Sequence, residues 1–449
     1  MRLIIVGSGK IGSTLLEKLS VEHHDIVLVD TQAAIVENMV NRHDVRGVVG
    51  NASEREVLLD AEVDKTDFFI ACTSRDEINI ICCVLAKKLG AKHTMARVRT
   101  PEYFHEIDAV CEELGIDMVF NPEYQTALDI AQILQFPYAL NVESFAGGSV
   151  KMVEFVLKEG NGLVGLSMQE IGAKNDSHVL FCVVLRGDEV FVPRGDFVLA
   201  EGDHVHIIGT ATDISSLMRK LHIYKQRARS VFIVGGGNIS FYLAKELLAK
   251  DVKVKIIEKD EVRCRFLSEE LPSAIILHGD GTDQDVLDEE DMSRCYGCVA
   301  LTGNDEENVI LSMYANLKKV DKVITRVDRP SVMKMVKLLG LDTVVSTRSA
   351  IANQIVRFVR ANKGTAQAVV NTLYVLHEKA EALEFAVEEG FSKIGIPLKE
   401  MRIKENVLIC GIVREGEYIL PGGENTFAVG DHVIVVSKGK HIDSLEQIF

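Results

Sequence analysis

The sequence predicts an α/β protein with two doubly wound parallel-sheet domains, each followed by a small α+β domain. Three observations predict it. The chain aligns on itself at a spacing of 228 or 229 residues, each half begins with short β-branched runs alternating with helical patterns, and each half ends in short strands broken by Gly-Asp turns.

The self-alignment runs the length of the chain. "IIVGSGKIG" falls on "FIVGGGNIS", "GNASEREVLLD" on "GDGTDQDVLDE", "ACTSRDEIN" on "ALTGNDEEN", "ARVRTPE" on "TRVDRPS" and "AEGDHVHIIG" on "AVGDHVIVVS". A unit this long contains enough apolar segments for its own core, so the repeat is of whole domains rather than solenoid turns. The expected order is a nucleotide-binding domain at 1–140, a small domain at 141–225, a second nucleotide-binding domain at 226–367 and a second small domain at 368–449.

In the first half, strands are expected near 2–6, 26–30, 46–49, 67–72, 93–98 and 117–120. Between them Ile11, Leu15, Leu16 and Leu19 recur at helical spacing, as do Ile78, Ile81, Cys82, Leu85 and Leu89. Near-continuous apolar strands separated by helices argue for a parallel sheet covered on both faces. In the second half the strands fall near 231–234, 253–257, 275–277, 298–302, 321–327 and 343–346. The small domains carry "VKMVEFVL", "VLFCVVL", "EVFVP" and "DHVHIIG", matched in order by "ALEFAVE", "VLICGIV", "YILP" and "DHVIVV". The basic stretch "YKQRARS" at 224–230 reads as a solvated linker.

Composition narrows the function. Of 449 residues 47% are hydrophobic and 26% charged, which is globular usage, and acidic residues outnumber basic ones 66 to 50 for a net charge of −16. That balance argues against nucleic acid as a partner. No apolar run approaches the ~18 residues of a spanning helix, and the chain starts with a strand and loop rather than a signal peptide, so a cytoplasmic location is expected. The nine cysteines lie mostly inside apolar segments and read as reduced core thiols. Cys295 and Cys298 have C-x-x-C spacing, but they lead into a strand and no second pair completes a zinc set.

The chemistry sits at the glycine loops. In "IIVGSGKIGSTLLEKL" a strand runs into Gly7-x-Gly9-x-x-Gly12 and then an amphipathic helix. Gly7 permits the tight turn, Gly9 lets the backbone approach a pyrophosphate at the helix N-terminus, and Gly12 permits close helix–strand packing. Asp30 ends the second strand, where a carboxylate accepts bonds from ribose hydroxyls. Thr31 follows instead of an arginine, so NAD or ATP/ADP is expected over NADP. The Rossmann-like constellation is complete in this half.

The second loop keeps Gly235 and Gly237 but places Ser240 where the third glycine belongs, and Glu258 stands in for Asp30. It reads equally as a second site or as a structural copy. Asn51 and Asp280 follow the third strands, Thr73 and Ser74 follow the fourth, Thr302 repeats Thr73, and Arg97 and Arg326 end the fifth. These strand ends are where open α/β sheets bind ligands. Asp76 and Glu77 also fit ordinary acidic helix starts, and the arginines suit either a phosphate or a neighbouring acid.

No catalytic partner accompanies the loops. A dehydrogenase needs a general acid or base beside the nicotinamide, yet the thirteen histidines form no evident dyad, and His204 and His432 read as strand-edge residues of the "GDHV" turns. No G-x-x-x-x-G-K-[ST] loop is present. Binding without turnover is therefore the first reading, and an NAD-dependent oxidoreductase the alternative.

The duplicated G-x-G-x-x-G domain plus "GDHV" domain, joined in the first half by "VFNPEYQTALDIAQIL", resembles the two-module RCK (KTN) regulators of Trk-type potassium uptake, over the whole chain. The resemblance implies RCK-N and RCK-C domains in each half and a non-enzymatic, peripheral subunit on the inner face of the plasma membrane. It implies self-association into an RCK ring, expected as a homotetramer, gating a TrkH/TrkG-type membrane partner, with ATP/ADP or NAD(H) as regulatory ligands. By the same resemblance Gly7, Ser8, Gly9, Lys10 and Ile11 hold phosphates, Asp30 the ribose, Asn51 and Ala52 the adenine side, and Thr73 and Arg97 make further contacts. Lys10 matches the loop position that, in related RCK rings, offers a cation to a neighbouring subunit's γ-phosphate; its counterpart is the neutral Asn238, followed by Ile239.

Overall fold

The computed structural model describes all residues except 21, 23, 175–177, 222–228, 363–368, 376–378, 440, 441 and 443, with backbone alone for 102, 105, 108, 174, 337 and 369–375. Of the basic segment at 224–230, only Arg229 and Ser230 fall among them.

The first sheet contains β1 (Arg2–Val6), β2 (Asp25–Asp30), β3 (Arg46–Val49), β4 (Phe68–Ala71), β5 (His93–Arg97) and β6 (Met118–Phe120). Its order is β3-β2-β1-β4-β5-β6, all parallel. The Phe-Phe-Ile-Ala run of β4 is buried throughout because helices cover both faces. A small antiparallel sheet follows: β7 (Asn141–Phe145), β8 (Val150–Val156), β9 (Leu180–Arg186), β10 (Glu189–Phe191) and β11 (His204–Gly209), in the order β10-β9-β11-β8-β7.

The second half repeats this plan. Its parallel sheet has β12 (Ser230–Val234), β13 (Lys253–Glu258), β14 (Ile275–His278), β15 (Gly297–Ala300), β16 (Lys322–Arg326) and β17 (Val344–Val345), ordered β14-β13-β12-β15-β16-β17. Its antiparallel sheet has β18 (Val369–Val375), β19 (Ala380–Ala386), β20 (Val407–Arg414), β21 (Glu417–Ile419) and β22 (His432–Lys438), ordered β18-β19-β22-β20-β21. Equivalent strands occupy equivalent positions in the two halves.

The halves are built into one another. The helix Pro122–Gln135, which follows β6, packs on the helix Asn238–Leu248 of the second half, sharing a core of Ile130, Leu134, Ile239, Leu243 and Leu247. In return, the helix Thr347–Ala361 after β17 covers the helix Lys10–Ser20, burying Ile351, Ile355 and Val359 against Ile11, Leu15 and Leu19. Lys18 Nζ donates to Asn353 Oδ1 at 2.6 Å, and Arg360 pairs with Glu22 at 2.6 Å across the same seam. The small sheets share a third core, in which Met152, Cys182 and Ile208 meet Ala382, Cys410 and Ile434.

The "GDHV" turns show what their polar residues do. Asp203 is fully buried and accepts from Arg186 Nε and Nη2, both at 2.8 Å; Asp431 repeats this with Arg414 at the same distances. His204 and His432 bond Glu154 and Glu384 across the strands at 2.8 and 2.6 Å.

Candidate nucleotide site

The first glycine loop divides its work among three residues. Gly7 has φ +95°, and a Cβ there would lie 3.0 Å from the Thr73 amide nitrogen, so both conformation and space demand glycine. Gly12 sits beneath the loop, where a Cβ would stand 1.9 Å from the Gly7 carbonyl oxygen. Gly9 faces open space, with nothing within 4 Å of its would-be Cβ. That leaves its backbone approachable at the N-terminus of the helix Lys10–Ser20, where free N–H groups and the helix dipole favour an anion.

The strand ends continue the site. Asp30 accepts from the Ser8 amide at 2.8 Å and hydroxyl at 2.5 Å through Oδ2, and from the Gln32 amide at 3.0 Å through Oδ1. Burial opposes its ionisation, but the bonds from Ser8 and Gln32 outweigh it and hold the carboxyl below the usual range. Asn51 closes a turn by accepting from the Ser53 amide and hydroxyl. Buried Asn79 grips the next loop, accepting from Thr73 N at 2.8 Å and donating to the carbonyl oxygens of Thr73 and Arg97. Asp76 fixes the loop after β5 through the amides of Arg99 and Thr100.

These ends enclose a cleft of about 740 Å³. Gly7, Gly9, Lys10, Ile11, Asp30, Asn51, Ala52, Thr73, Ser74 and Arg97 all line it. Two residues expected in the site stand behind its wall. Ser8 spends its amide and hydroxyl on Asp30, and Gly12 is packed under the loop. Sequence reading missed Arg75, Arg99, Glu123, Asp328, Thr347 and Arg348, which also line the cleft. The last three, with Arg326, come from the second half, and only the three-dimensional exchange of helices brings them here. Six cations, Lys10, Arg75, Arg97, Arg99, Arg326 and Arg348, meet three carboxylates, Asp30, Glu123 and Asp328. Burial lowers the Arg97 pKa, while Glu123 at 3.6 Å pulls the other way.

The second half forms a smaller cleft of about 420 Å³, lined by Gly235, Gly237, Glu258, Asp280 and Thr302 among others. Glu258 reproduces the role of Asp30 by accepting from the amides of Gly236 at 2.6 Å and Asp260 at 2.8 Å. Ser240 fits because its hydroxyl donates to the Gly235 carbonyl, directly beneath the turn. Asn238 and Ile239 do not face this cleft. Arg263 lies over the loop, donating to Gly236 O at 2.7 Å and to Asn238 Oδ1 at 3.0 Å, and Ile239 is in the core. The charges here are Lys259 and Arg326 against Glu258, Asp280 and Glu307.

Neither cleft is lined by a histidine among the described residues. The one thiol at the first cleft, Cys72, is pushed up to about 12 by burial, so it is no thiolate nucleophile. Cys298, from the C-x-x-C pair, is buried in β15 and likewise pushed up to about 12. The arrangement sets a glycine loop and a cluster of cations against the strand-end carboxylate Asp30.

Comparison with known proteins agrees with this architecture. The TrkA-N domain matches residues 3–122 and 231–347, and the TrkA-C domain matches 152–222 and 383–449. The Trk system potassium uptake protein TrkA homolog of Archaeoglobus fulgidus is 31% identical over 449 residues, covering all of both chains. The Trk system potassium uptake protein TrkA of Halomonas elongata is 33% identical over 462 residues, covering all of this chain and 98% of its own. Among solved structures, the GsuK channel bound to NAD has the same fold, with a TM-score of 0.64 at 20% identity over 98% of this chain and 77% of that one. No helix among the described residues is long and apolar enough to cross a membrane. With both domain types matched twice in alternation and relatives above 30% identity end to end, the chain belongs to the TrkA family of Trk-system potassium uptake proteins.

Proposed function

We infer that this protein is a nucleotide-sensing regulatory subunit of a Trk-type potassium uptake system. It reads ATP against ADP or NAD(H) in its first cleft and biases a TrkH/TrkG-type membrane partner, docked as a homotetrameric RCK ring on the cytoplasmic face. One observation carries the reading: a glycine loop, the strand-end carboxylate Asp30 and six cations converge on one cleft, which is lined by no histidine among the described residues. Asp30, with Thr31 beside it, would repel a 2′-phosphate, which disfavours NADP.

Such a subunit works by population shift. A nucleotide moves the equilibrium between two ring conformations only by its differential affinity for them, and about 1.4 kcal/mol is a tenfold bias. Potassium flux into vesicles holding the membrane partner and the full chain, measured with ATP, ADP or NADH, tests this. Flux should depend on which nucleotide is present, and Gly9→Leu, which fills the open face of the loop, should abolish both binding and response. A normal ATP response in that variant overturns the reading.

A further inference from the structure

We propose that Tyr242 of the second half is a positioning residue for the first cleft: its hydroxyl, acting through Asn121, sets the cleft wall formed by Ser74, Arg99 and Glu123, and so ties nucleotide affinity there to the state of the second glycine loop. This rests on the first cleft being a nucleotide site.

Asn121 stands between β6 and the helix Pro122–Gln135, 3% exposed, with a bond at each polar atom of its side chain. Its Oδ1 caps the helix by accepting the Tyr124 amide at 2.9 Å. Its Nδ2 donates in two directions, to the Arg99 carbonyl oxygen at 3.3 Å and to the Tyr242 hydroxyl at 3.0 Å. The two hydrogens of a side-chain amide lie in one plane, so fixing one direction fixes the other.

From Asn121 the link reaches the cleft. Arg99 Nη2 donates to the Ser74 carbonyl oxygen at 2.8 Å, and Asp76 accepts the amides of Arg99 and Thr100, which joins the loops after β4 and β5. Ser74, Arg99 and Glu123 line the cleft, and Glu123 lies in the first turn of the helix that Asn121 caps. Tyr242 is buried behind this wall, its ring edge-on to Tyr124 at 5.2 Å between centroids.

At its other end the link meets the second glycine loop. Tyr242 is the fifth residue of the helix Asn238–Leu248, one turn from that loop. The loop is clamped to the same first turn: Arg263 donates to Gly236 O and Asn238 Oδ1, and the Ser240 hydroxyl to Gly235 O. A helical turn is stiff, closed by its own backbone bonds, so a shift of the loop carries the Tyr242 hydroxyl with it. Both partners of that hydroxyl bond are buried, so breaking it leaves an unsatisfied donor, and the wall responds in steps rather than smoothly.

The equivalent positions differ. The fifth residue of the helix Lys10–Ser20 is Thr14, whose hydroxyl returns to Lys10 O at 3.0 Å. The residue before the helix Thr347–Ala361 is Ser346, whose hydroxyl donates to Asp328 Oδ1 at 3.3 Å. The link therefore runs from the second loop to the first cleft without a mirrored copy among the described residues.

Calorimetric titration of the full chain with ATP, read at its strong site, tests the assignment. Tyr242→Phe removes the hydroxyl alone; Asn121→Ser keeps a helix cap, as Ser346 does in the second half, but cannot donate in two directions. Each should weaken ATP by about three- to tenfold, the scale of one buried hydrogen bond, and the double substitution by no more than either alone. Arg263→Ala loosens the second loop away from the first cleft. It should change ATP affinity at the strong site by about threefold or more in the unaltered background and not at all in Tyr242→Phe. Unchanged ATP affinity in Tyr242→Phe, additive losses in the double substitution, or an Arg263→Ala effect that is absent or survives Tyr242→Phe overturns the positioning role and leaves the nucleotide reading standing. Absence of nucleotide binding in the unaltered protein removes both.

Discussion

A Cβ on Gly12 would stand 1.9 Å from the Gly7 carbonyl oxygen, whereas one on Gly9 would meet nothing within 4 Å. Two glycines of one motif therefore fail differently. Gly12→Ala must push the helix off its loop, an overpacking cost of about 1–3 kcal/mol that should lower the Tm by several degrees even without ligand. Gly9→Leu should leave the ligand-free Tm within about 2 °C while abolishing the rise in Tm produced by ATP. Scanning calorimetry with and without ATP checks both; equal ligand-free losses would refute the division of labour.

Asp203 and Asp431 are fully buried, each gripped by two nitrogens of one arginine. Each arginine is itself about two-fifths exposed, so its loss costs less than that of a fully buried pair, about 1–3 kcal/mol. Arg186→Ala is therefore expected to destabilise the first small domain, seen as faster amide exchange in β9 and β11 with β1 to β6 little changed. Replacing His204 should cost less, because its partner Glu154 keeps some contact with solvent whereas Asp203 has none. Similar exchange in the two variants would contradict this ranking.

Glu143 in β7 and Asp129 on the helix Pro122–Gln135 predict a pH effect. Burial pushes Glu143 up to about 7 and Asp129 up to about 6, with Arg357, 4.0 Å from Glu143, opposing the shift. Both folded values are raised, so the folded chain keeps protons that the unfolded chain releases. Their contribution is greatest below pH ~4 and is lost as pH rises toward ~7. Asp30, Asp67 and Asp117 are shifted downward and act at lower pH. His206, lowered by burial, works in the opposite sense. The measurement is therefore a difference: Glu143→Gln should raise the Tm by about a few degrees at pH 8 and by little at pH 5. A gain independent of pH would refute the assignment.

The strands were legible because parallel strands buried on both faces read as unbroken apolar runs: β1, β3 and β12 fall within one residue of their expected bounds. The glycine loop was legible because its constraints are local. What the sequence concealed is the exchange of helices, since "TRSAIANQIV" has the same apolar spacing whether it covers its own sheet or the other half's first helix. Arg348 and Thr347 could not be placed at the first cleft without knowing that. The "GDHV" turns drew the eye to histidine, but their buried residue is the aspartate, whose arginine partner lies 17 positions away.

The two clefts should differ toward ATP, although both glycine loops are formed. Arg326 lines both, yet the first adds five further cations against three carboxylates, while the second adds only Lys259 against three. Arg263 also occupies the loop region where Lys10 offers a free charge in the first half. A polyphosphate brought to the second cleft meets net repulsion, which costs affinity directly. Titration with ATP is accordingly expected to show about one strong site per chain, the second remaining weak at low salt. Glu307→Lys reverses the balance at the second cleft and should strengthen ATP there by roughly tenfold, without altering the first. Two equally strong sites in the unaltered chain would show that loop geometry, not charge, decides which nucleotide each half accepts.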